Sequence, residues 1–547
     1  MKLVTSLQMR ECDRRTIAGE DLPAPTPSLV LMERAGVGIH AALQQHFDFL
    51  AQRAILVFCG PGNNGGDGLV VARRLRLQGH RPHVFLLGPM EKLSADARHQ
   101  VERCDEAGVR RQRVADPDAL SAAVAAALRM SGGRPPLLVD ALLGTGTRGA
   151  PRGLIGDAVE LIRALRDERD AEVLAVDLPT GVDADSGAIA GAAVEADLTV
   201  TMAYLKVGFL RYPARAHLGR VRIVDIGIPP RVAEEVGLPL NLMTAEEAFL
   251  LRPQRSPDAH KSQVGRLLVI GGSPGLTGAA SLAARAAVRS GSGLVTVALP
   301  EALNIALEAK LTEVMTLPLP DAGRGWLGPE AAETILARAS TTDVWALGPG
   351  IGRAEETQRL VRRLVGQLPG PAVVDADGLF ALARGQWQRA ADAPPLVLTP
   401  HPGEMARLCG CAVSDVTAQP IDTAAGFARQ RGCVLLLKGA PTIIADPAGE
   451  IWLNPTGNPG LATGGSGDLL TGVIAAFLGQ GLRPLDAARL GAFLHGWAAD
   501  RVAAESGMAG LAPSDLLGAL PRALRDVGNS TALPATHWTS AADFLAP

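Results

Sequence analysis

Short, nearly unbroken apolar runs alternate with amphipathic or alanine-rich stretches along the whole chain. Ala54-Ile55-Leu56-Val57-Phe58-Cys59 is apolar at every position. A strand covered by helices on both faces of a sheet carries such a run, because neither face meets water. Similar runs predict strands at His83–Leu87, Leu137–Val139, Val173–Val176, Leu198–Met202 and Val221–Ile226. Two helices are expected before them, over 5–20 and 28–50. In the second, Leu29, Met32, Ala35, Gly36 and Ile39 recur at helical spacing. After Gly265 the alternation starts again. Strands are expected at Leu267–Ile270, Leu294–Ala298, Val344–Leu347, Ala372–Val374, Leu396–Leu398 and Val434–Leu437, with an alanine-rich helix over Ala279–Arg289. A hairpin is expected from Thr442–Ala445 and Glu450–Asn454, then an apolar helix over Leu469–Leu478. Strands alternating with helices imply mostly parallel sheets, so the expected fold class is α/β in two domains.

Between the halves, residues 227–262 are rich in proline and charge, with Ile228-Pro229-Pro230 and Arg252-Pro253 flanking a short helical stretch. This predicts a first domain over 1–230, a linker over 231–262, a second domain over 263–521 and a tail of unassigned role over 522–547. A chain of 547 residues is too long for one core, which agrees. The net charge of -3, with no Lys/Arg block, removes bulk attraction to nucleic acid. No apolar run reaches membrane-spanning length, and Met1–Glu20 has early charges without a signal-peptide core, so no membrane partner and a cytoplasmic location are expected. The six cysteines form no CxxC pair. Cys59 and Cys433 sit in or beside apolar strands and read as small core residues rather than zinc ligands or disulfide halves.

The stretch with the most chemical content is Asn458-Pro459-Gly460-Leu461-Ala462-Thr463-Gly464-Gly465-Ser466-Gly467-Asp468. Glycines at 464, 465 and 467 leave backbone amides free to fold around an anion, and the helix start adds unpaired N–H groups and a positive dipole end. Asp468 stands where a carboxylate can take a proton from a substrate hydroxyl. A helix N-cap after a flexible loop is the plainer reading of a single Gly-Asp pair. Other strand ends of the second half carry similar residues: Gly348-Pro349-Gly350-Ile351-Gly352, Asp375-Ala376-Asp377, Thr399-Pro400-His401-Pro402-Gly403-Glu404 and Lys438-Gly439-Ala440-Pro441-Thr442. Asp375 and Asp377 read either as helix caps or as contacts to a metal-bound phosphate. His401, held between prolines, reads as structural or as a ligand contact. Glu404 reads as a local hydrogen-bond partner or as water-mediated support for Mg²⁺. No GxxxxGK sequence occurs, which excludes a P-loop.

In the first half, strand Ala54–Cys59 runs into Gly60-Pro61-Gly62-Asn63-Asn64-Gly65-Gly66-Asp67-Gly68, with a helix expected from Leu69. Gly60, Gly62 and Gly65 satisfy the dinucleotide fingerprint, but the next strand ends in Gly88-Pro89 rather than an acidic ribose ligand, which disfavours an ordinary NAD site. Asp140 precedes the glycine-rich Gly144-Thr145-Gly146-Thr147-Arg148-Gly149, and Asp177 precedes Leu-Pro-Thr-Gly. Aspartates at successive strand ends converge on one rim of a parallel sheet, where cation binding or catalysis is better served than packing. Arg148 could hold phosphate. Lys206 reads equally as an acid, base or phosphate contact and as a solvated lysine.

Gly60–Asp67, Asp140–Gly149 and Asp177–Gly181 resemble the epimerase domain of the NAD(P)H-hydrate repair proteins, over roughly residues 1–230. The resemblance implies a Rossmann-like three-layer sandwich acting on hydrated NADH or NADPH. It implies substrate contacts from Asn63, Asn64, Gly65, Gly66, Asp67, Gly144, Thr145, Gly146, Thr147, Arg148, Gly149, Ala150 and Asp177, and potassium ligands from Asn64, Asp140 and Thr180. Amide, carboxylate and hydroxyl oxygens suit such a hard cation. Thr399–Glu404, Lys438–Thr442 and Gly457–Gly472 resemble the ribokinase-like superfamily, and within it the ADP-dependent NAD(P)H-hydrate dehydratases. That implies a ribokinase-like α/β sandwich with Lys438, Gly439, Ala440, Pro441, Thr442 and Gly467 on the nucleotide, and Ala279, Gly352, His401 and Asp468 on the hydrated dinucleotide.

The expected function is repair of NADHX and NADPHX: epimerisation of the R and S forms, then ADP-dependent dehydration of the S form, releasing AMP and phosphate. Asp468 is the expected base of the dehydration. Asp177, with Lys206, is the expected proton carrier of the epimerisation. Mg²⁺, K⁺ and ADP are the expected cofactors and co-substrate, and a homo-oligomer is expected. Two rivals stand beside this reading: an ATP-dependent small-alcohol kinase with an N-terminal nucleotide-binding domain, and a first half that only binds or interacts.

Overall fold

Two large sheets form, each in its own unit, and the chain divides between Pro239 and Leu240. The computed structural model describes residues 1–20, 22–390 and 392–527, and the backbone of 544–545. In the first unit the strands are β1 (Leu3–Val4), β2 (Ala54–Cys59), β3 (His83–Leu87), β4 (Arg110–Val114), β5 (Pro136–Ala141), β6 (Glu172–Val176), β7 (Leu198–Met202), β8 (Leu205–Lys206) and β9 (Arg220–Val224). The main sheet has the order β9-β7-β6-β5-β2-β3-β4 with every pair parallel, and residues 544–545 pair along β9. β1 and β8 form a separate parallel ribbon that sets Val4 opposite Lys206.

The alternation of β2 explains its composition. Leu56 and Phe58 pack with Phe85, Leu138 and Val173 on one face, while Ile55, Val57 and Cys59 pack with Val84 and Val139 on the other. Strand order reverses between β2 and β5, which opens a crevice at their carboxyl ends. Helix α1 (Ser6–Ala18) and α2 (Ser28–His46) form where the apolar spacing placed them. The third helix corrects an expectation. Helix α3 spans Asn63–Leu77, so Asn63–Gly68 is its opening and not a loop before Leu69. A Cβ at Gly65 would run into the Gly60 carbonyl oxygen, and one at Gly68 would meet the Ala141 side chain at 2.5 Å. These glycines let the helix start tight against β2 and β5.

In the second unit the strands are β10 (Leu240–Leu242), β11 (Arg266–Ile270), β12 (Leu294–Pro300), β13 (Met315–Leu319), β14 (Val344–Leu347), β15 (Ala372–Val374), β16 (Leu396–Leu398), β17 (Val434–Leu437), β18 (Thr442–Ala445) and β19 (Ile451–Asn454). They form one sheet in the order β10-β19-β18-β17-β16-β15-β14-β11-β12-β13, parallel except where β18 runs against β17 and β19. The antiparallel pair is the expected hairpin. Order reverses again between β11 and β14. Helices Thr277–Arg289 and Ser466–Gly479 pack so closely that a Cβ at Gly472 would overlap the Ala283 carbonyl oxygen. Alanine along the first helix and glycine on the second permit that approach.

Much of the linker expected over 231–262 is instead built into the two units, and residues 254–262 are exposed. Helix Pro230–Val236 buries Val232 in the first core, while β10 pairs with β19 and helix Ala245–Leu251 buries Ala245 and Ala248 in the second. Pro230 opens the first of these helices and Arg252-Pro253 follows the end of the second. Of the tail expected over 522–547, residues 522–526 end helix Pro513–Asp526, and most of the rest lies outside the described residues. Among the described residues, no helix is long and apolar enough to cross a membrane.

Candidate functional site

At the β2/β5 crevice the first unit holds a cavity of about 570 Å³. Gly62, Asn63, Asn64 and Asp67 reach it from the start of α3, where unpaired N–H groups and the dipole favour an anion. Gly144, Thr145, Gly146 and Thr147 reach it from the segment after β5, with Asp177 from the end of β6 and Lys206 from β8. Gly65 and Gly66 lie outside this lining; a Cβ on Gly66 would meet the Met32 side chain at 2.5 Å, a packing demand. Gly149 borders a smaller neighbouring cavity. Ala150 packs against Gly191, and exposed Arg148 donates to Asp185 at 3.1 Å.

Asp177 is held from several sides. Its Oδ1 lies 2.8 Å from the Lys206 ammonium and accepts from the Thr201 hydroxyl at 3.1 Å, while Oδ2 accepts from the Thr145 N–H at 3.1 Å. Lys206, only 1% exposed, also donates to the Thr201 hydroxyl at 2.6 Å and the Met202 carbonyl at 3.2 Å. Lys206 is therefore a buried partner of Asp177 and not a solvated lysine. Asp177 adopts φ +67°, a left-handed conformation that costs a non-glycine residue about 1 kcal/mol or more and points to a constrained position. Behind it, Thr180 donates to Asp140 through both its N–H and its hydroxyl at 2.8 Å. Burial pushes Asp140 up to about 6 against those hydrogen bonds. Both side-chain polar atoms of buried Asn64 lack a protein partner. A Cβ on Gly144 would crowd Asp177 at 3.3 Å and Asn64 at 3.4 Å, so glycine keeps the floor open.

In the second unit, the carboxyl ends of β15, β16 and β17 bring Asp375, His401 and Lys438 to one rim, facing the start of helix Ser466–Gly479. The Lys438 ammonium lies 2.8 Å from Asp375 and 3.8 Å from Glu404. The Thr471 hydroxyl donates to the second Asp375 oxygen at 2.8 Å. Burial pushes Asp375 up, but Lys438 and these hydrogen bonds outweigh it and leave the carboxyl below its usual range. A Cβ on Gly467 would sit 3.1 Å from the Lys438 ammonium, so the glycine keeps that cation close to the helix start. Asp468 stands in the first turn, and burial, with Asp375 nearby, pushes it up to about 7.

His401 caps helix Pro402–Cys409. Its Nδ1 accepts from the N–H groups of Gly403 at 3.0 Å and Glu404 at 3.3 Å, and Glu404 accepts from the His401 N–H at 2.9 Å. Burial and Lys438 lower its pKa, which keeps the ring neutral and able to accept. Gly439 and Thr442 close on each other, the Thr442 hydroxyl donating to the Gly439 carbonyl at 3.1 Å around Ala440-Pro441. At the β11/β14 crevice, the Gly352 N–H donates to Asp377 at 3.1 Å, Arg353 pairs with Asp377 at 2.7 Å, and Ala279 packs on Gly350. Asp377 is thus taken up within the protein. The motif reading missed Asp13, Thr201, Thr471 and His495. Of these, only His495 carries a sequence signal of any kind, a histidine inside the apolar run Leu490–Ala499; burial and Lys438 push it down to about 4.

Comparison with known proteins covers both units. Residues 28–208 match the family described as YjeF-related protein N-terminus, and residues 267–522 match the family described as NAD(P)H-hydrate dehydratase. A bifunctional NAD(P)H-hydrate repair enzyme from Moorella thermoacetica is 44% identical over 528 residues, 96% of this chain and 97% of that one. The chain belongs to the bifunctional NAD(P)H-hydrate repair enzymes. Proteins of the same description from Salinibacter ruber and Escherichia coli are 41% identical over 95% of this chain and 35% identical over 85% of it, covering 95% and 84% of those chains. Membership holds over the whole described architecture, so the Rossmann-like first unit and the ribokinase-like second unit are the family's pair of folds. The kinase rival is not favoured.

Proposed function

We propose that the two sites divide one repair. The enzyme is an isomerase and a lyase acting on hydrated NADH and NADPH: the first unit interconverts the R and S forms, and the second dehydrates the S form with ADP. In the hydrated ring the added hydroxyl sits on a carbon bonded to the ring nitrogen, whose lone pair expels it once it becomes a good leaving group. In the second unit Asp468 takes the hydroxyl proton as that oxygen attacks the terminal phosphate of ADP. Lys438 and the amides of the Gly464–Gly467 segment stabilise the charge that develops on the phosphate. Phosphate then leaves with the carbon–oxygen electron pair. The ring carbon next to the resulting carbon–nitrogen double bond gives up a proton to water, and its electron pair forms the carbon–carbon double bond that restores the dihydronicotinamide ring. AMP remains. The supporting observation is Asp468 itself, a carboxyl in the first turn of a glycine-preceded helix whose pKa of about 7 suits a base working near neutrality.

In the first unit Asp177, held against Lys206, carries protons for the epimerisation. The unpartnered Asn64 amide oxygen, with Asp140 and Thr180, makes an oxygen set that fits potassium. Potassium there would offset the buried Asp140 charge and fix Asn64 at the cavity floor. No group of three or more His, Cys, Asp or Glu side chains able to hold a metal occurs among the described residues, so magnesium fits as a companion of the ADP phosphates, with Glu404 near them. Magnesium would add positive charge at the phosphates. A cytoplasmic homo-oligomer completes the reading, checked by fractionation and sedimentation.

The test is recovery of dihydronicotinamide absorbance from mixed-isomer hydrated NADH with magnesium and ADP, ATP or no nucleotide. Complete recovery with ADP and matching AMP release is expected, and none from Asp468→Asn. Recovery that stalls at one isomer's share in the wild type would remove the epimerase assignment. Full activity of Asp468→Asn would remove Asp468 as the base.

A further inference from the structure

The β2/β5 cavity contains a carboxyl that no motif pointed to. Asp13 lies on α1, and Met9, Arg10 and Ile17 of the same helix line the same space. Facing it are Asp67 from α3, Asp96 from helix Ala95–Glu106, Asp177 from the end of β6 and Lys206 from β8. The charged lining therefore sets four carboxyls against Arg10 and Lys206. A carboxyl of this wall that gives up its proton becomes a fixed partner for a positive charge formed inside the cavity, one that need not reorganise. Asp96 stands in the first turn of its own helix, where it complements the helix dipole, and Asp177 is taken up by Lys206, Thr201 and Thr145. Asp13 has neither commitment.

We infer that Asp13 is a catalytic acid of the epimerisation, giving a proton to the departing ring hydroxyl and recovering one when water returns. The inference rests on reading this cavity as the epimerase site. In the forward step the carbon–oxygen bond breaks with its electron pair on oxygen, and the oxygen takes the Asp13 proton and leaves as water. The ring-nitrogen lone pair becomes the second bond of a carbon–nitrogen double bond, which makes the ring carbon planar and the ring cationic. In the return step water bonds to that carbon from the opposite face, the double-bond pair returns to nitrogen, and the extra proton passes to the Asp13 carboxylate. Nothing is oxidised or reduced.

Electrostatics separates Asp13 from its neighbour Asp67. Burial pushes Asp13 up to about 6, with Lys206 pulling it down and Asp177 pushing it up. Burial, with Asp177, Asp13 and Asp96, pushes Asp67 well above the usual carboxylate range. That direction favours the protonated form of Asp67, whereas Asp13 can lose and regain a proton near neutrality.

The experiment uses the full chain without nucleotide, so that dehydration is silent, and follows interconversion of single-isomer hydrated NADH by chromatography. The wild-type rate should fall as pH rises above about 6, and each inversion should place oxygen from heavy-oxygen water in the ring hydroxyl. Asp13→Asn should lose about 100-fold and lose the falling limb. Asp13→Glu should recover a substantial part of the rate with the limb displaced, which a merely structural role would not produce. Asp13→Asn with wild-type rate and limb would overturn the inference, as would inversion without oxygen exchange. Asp177→Ala separates the layers. If it is inactive while Asp13→Asn is normal, only the Asp13 inference fails; if both are fully active, the cavity is not the epimerase site.

Discussion

Lys438→Met isolates the pair at the centre of the second site. Asp375 is 1% exposed, and its partners are the Lys438 ammonium at 2.8 Å and the Thr471 hydroxyl at 2.8 Å. Methionine keeps most of the aliphatic stem and removes the charge. Breaking a buried pair costs about 3–5 kcal/mol, because the surviving ion is left buried. Thr471 still serves one oxygen, and Lys438 is about a fifth exposed, so the expected loss is near the lower end, about 3 kcal/mol. By the scaling of roughly 2–4 °C per kcal/mol, the melting point should fall by about 6–12 °C. Among the described residues tryptophan fluorescence reads this unit alone, since Trp326, Trp345, Trp387, Trp452 and Trp497 all follow Pro239. The sign with pH is fixed by Asp375. In the wild type its folded pKa is lowered, so its contribution is complete above the unfolded value of about 3.9 and is lost only as pH falls through the folded value. In the variant, burial without Lys438 raises the folded pKa, so stability declines as pH rises past the unfolded value. The gap between the two proteins should therefore widen from pH 5 to pH 8, and Asp375→Asn added to Lys438→Met should narrow it. A loss below about 1 kcal/mol in urea unfolding, or one equal at both pH values, would refute this account of the pair.

Three other outcomes follow from the same geometry. Gly472→Ala should cost about 1–3 kcal/mol in urea unfolding followed by tryptophan fluorescence, because its Cβ would overlap the Ala283 carbonyl oxygen; a shift under about 0.5 kcal/mol would show that the helices can part freely. The ADP-dependent rate should rise about tenfold per pH unit below about 7 and level above it, since Asp468 acts unprotonated; a limb below pH 5 would show that burial does not lift this carboxyl. Potassium should raise the melting temperature of the wild-type first unit, read by far-ultraviolet circular dichroism, and raise its epimerisation rate, but leave Asn64→Leu unmoved; an equal response in both would put the ion elsewhere.

The legible parts of the sequence were those in which local composition and environment coincide. Ala54–Cys59 is buried on both faces and looks it, and the glycine segments after β2, β5, β11 and β14 stand at the two strand-order reversals, where ligand crevices open. The start of α3 was misread because Asn63-Asn64-Gly65-Gly66 has loop composition. Its glycines answer to contacts with Gly60 and Met32, which only the fold brings near. β4 was not expected at all, since Arg-Arg-Gln-Arg-Val lacks the apolar face of a strand and owes its place to pairing with β3. The same holds within the sites. Asp468 and Lys438 could be singled out because they adjoin glycine segments, whereas Thr471 sits in an apolar helix and Asp13 in an ordinary amphipathic one. Their roles arise from contacts across 96 residues to Asp375 and from a shared cavity wall.

β4 has a consequence for how copies of the chain meet. As the last strand of its sheet it leaves backbone donors and acceptors unpaired, and such a border can template the addition of another extended chain. Arg110, Arg111 and Arg113 stand exposed along it. Two such borders brought together would set guanidinium against guanidinium, in water and without counter-charges enough to offset them, since among the described residues only Arg111 of the three has a close carboxylate, Asp105 at 2.6 Å. The strand that hydropathy could not find is thus a guard against runaway sheet growth, and replacing its arginines with valine or threonine would turn a closed border into an adhesive one.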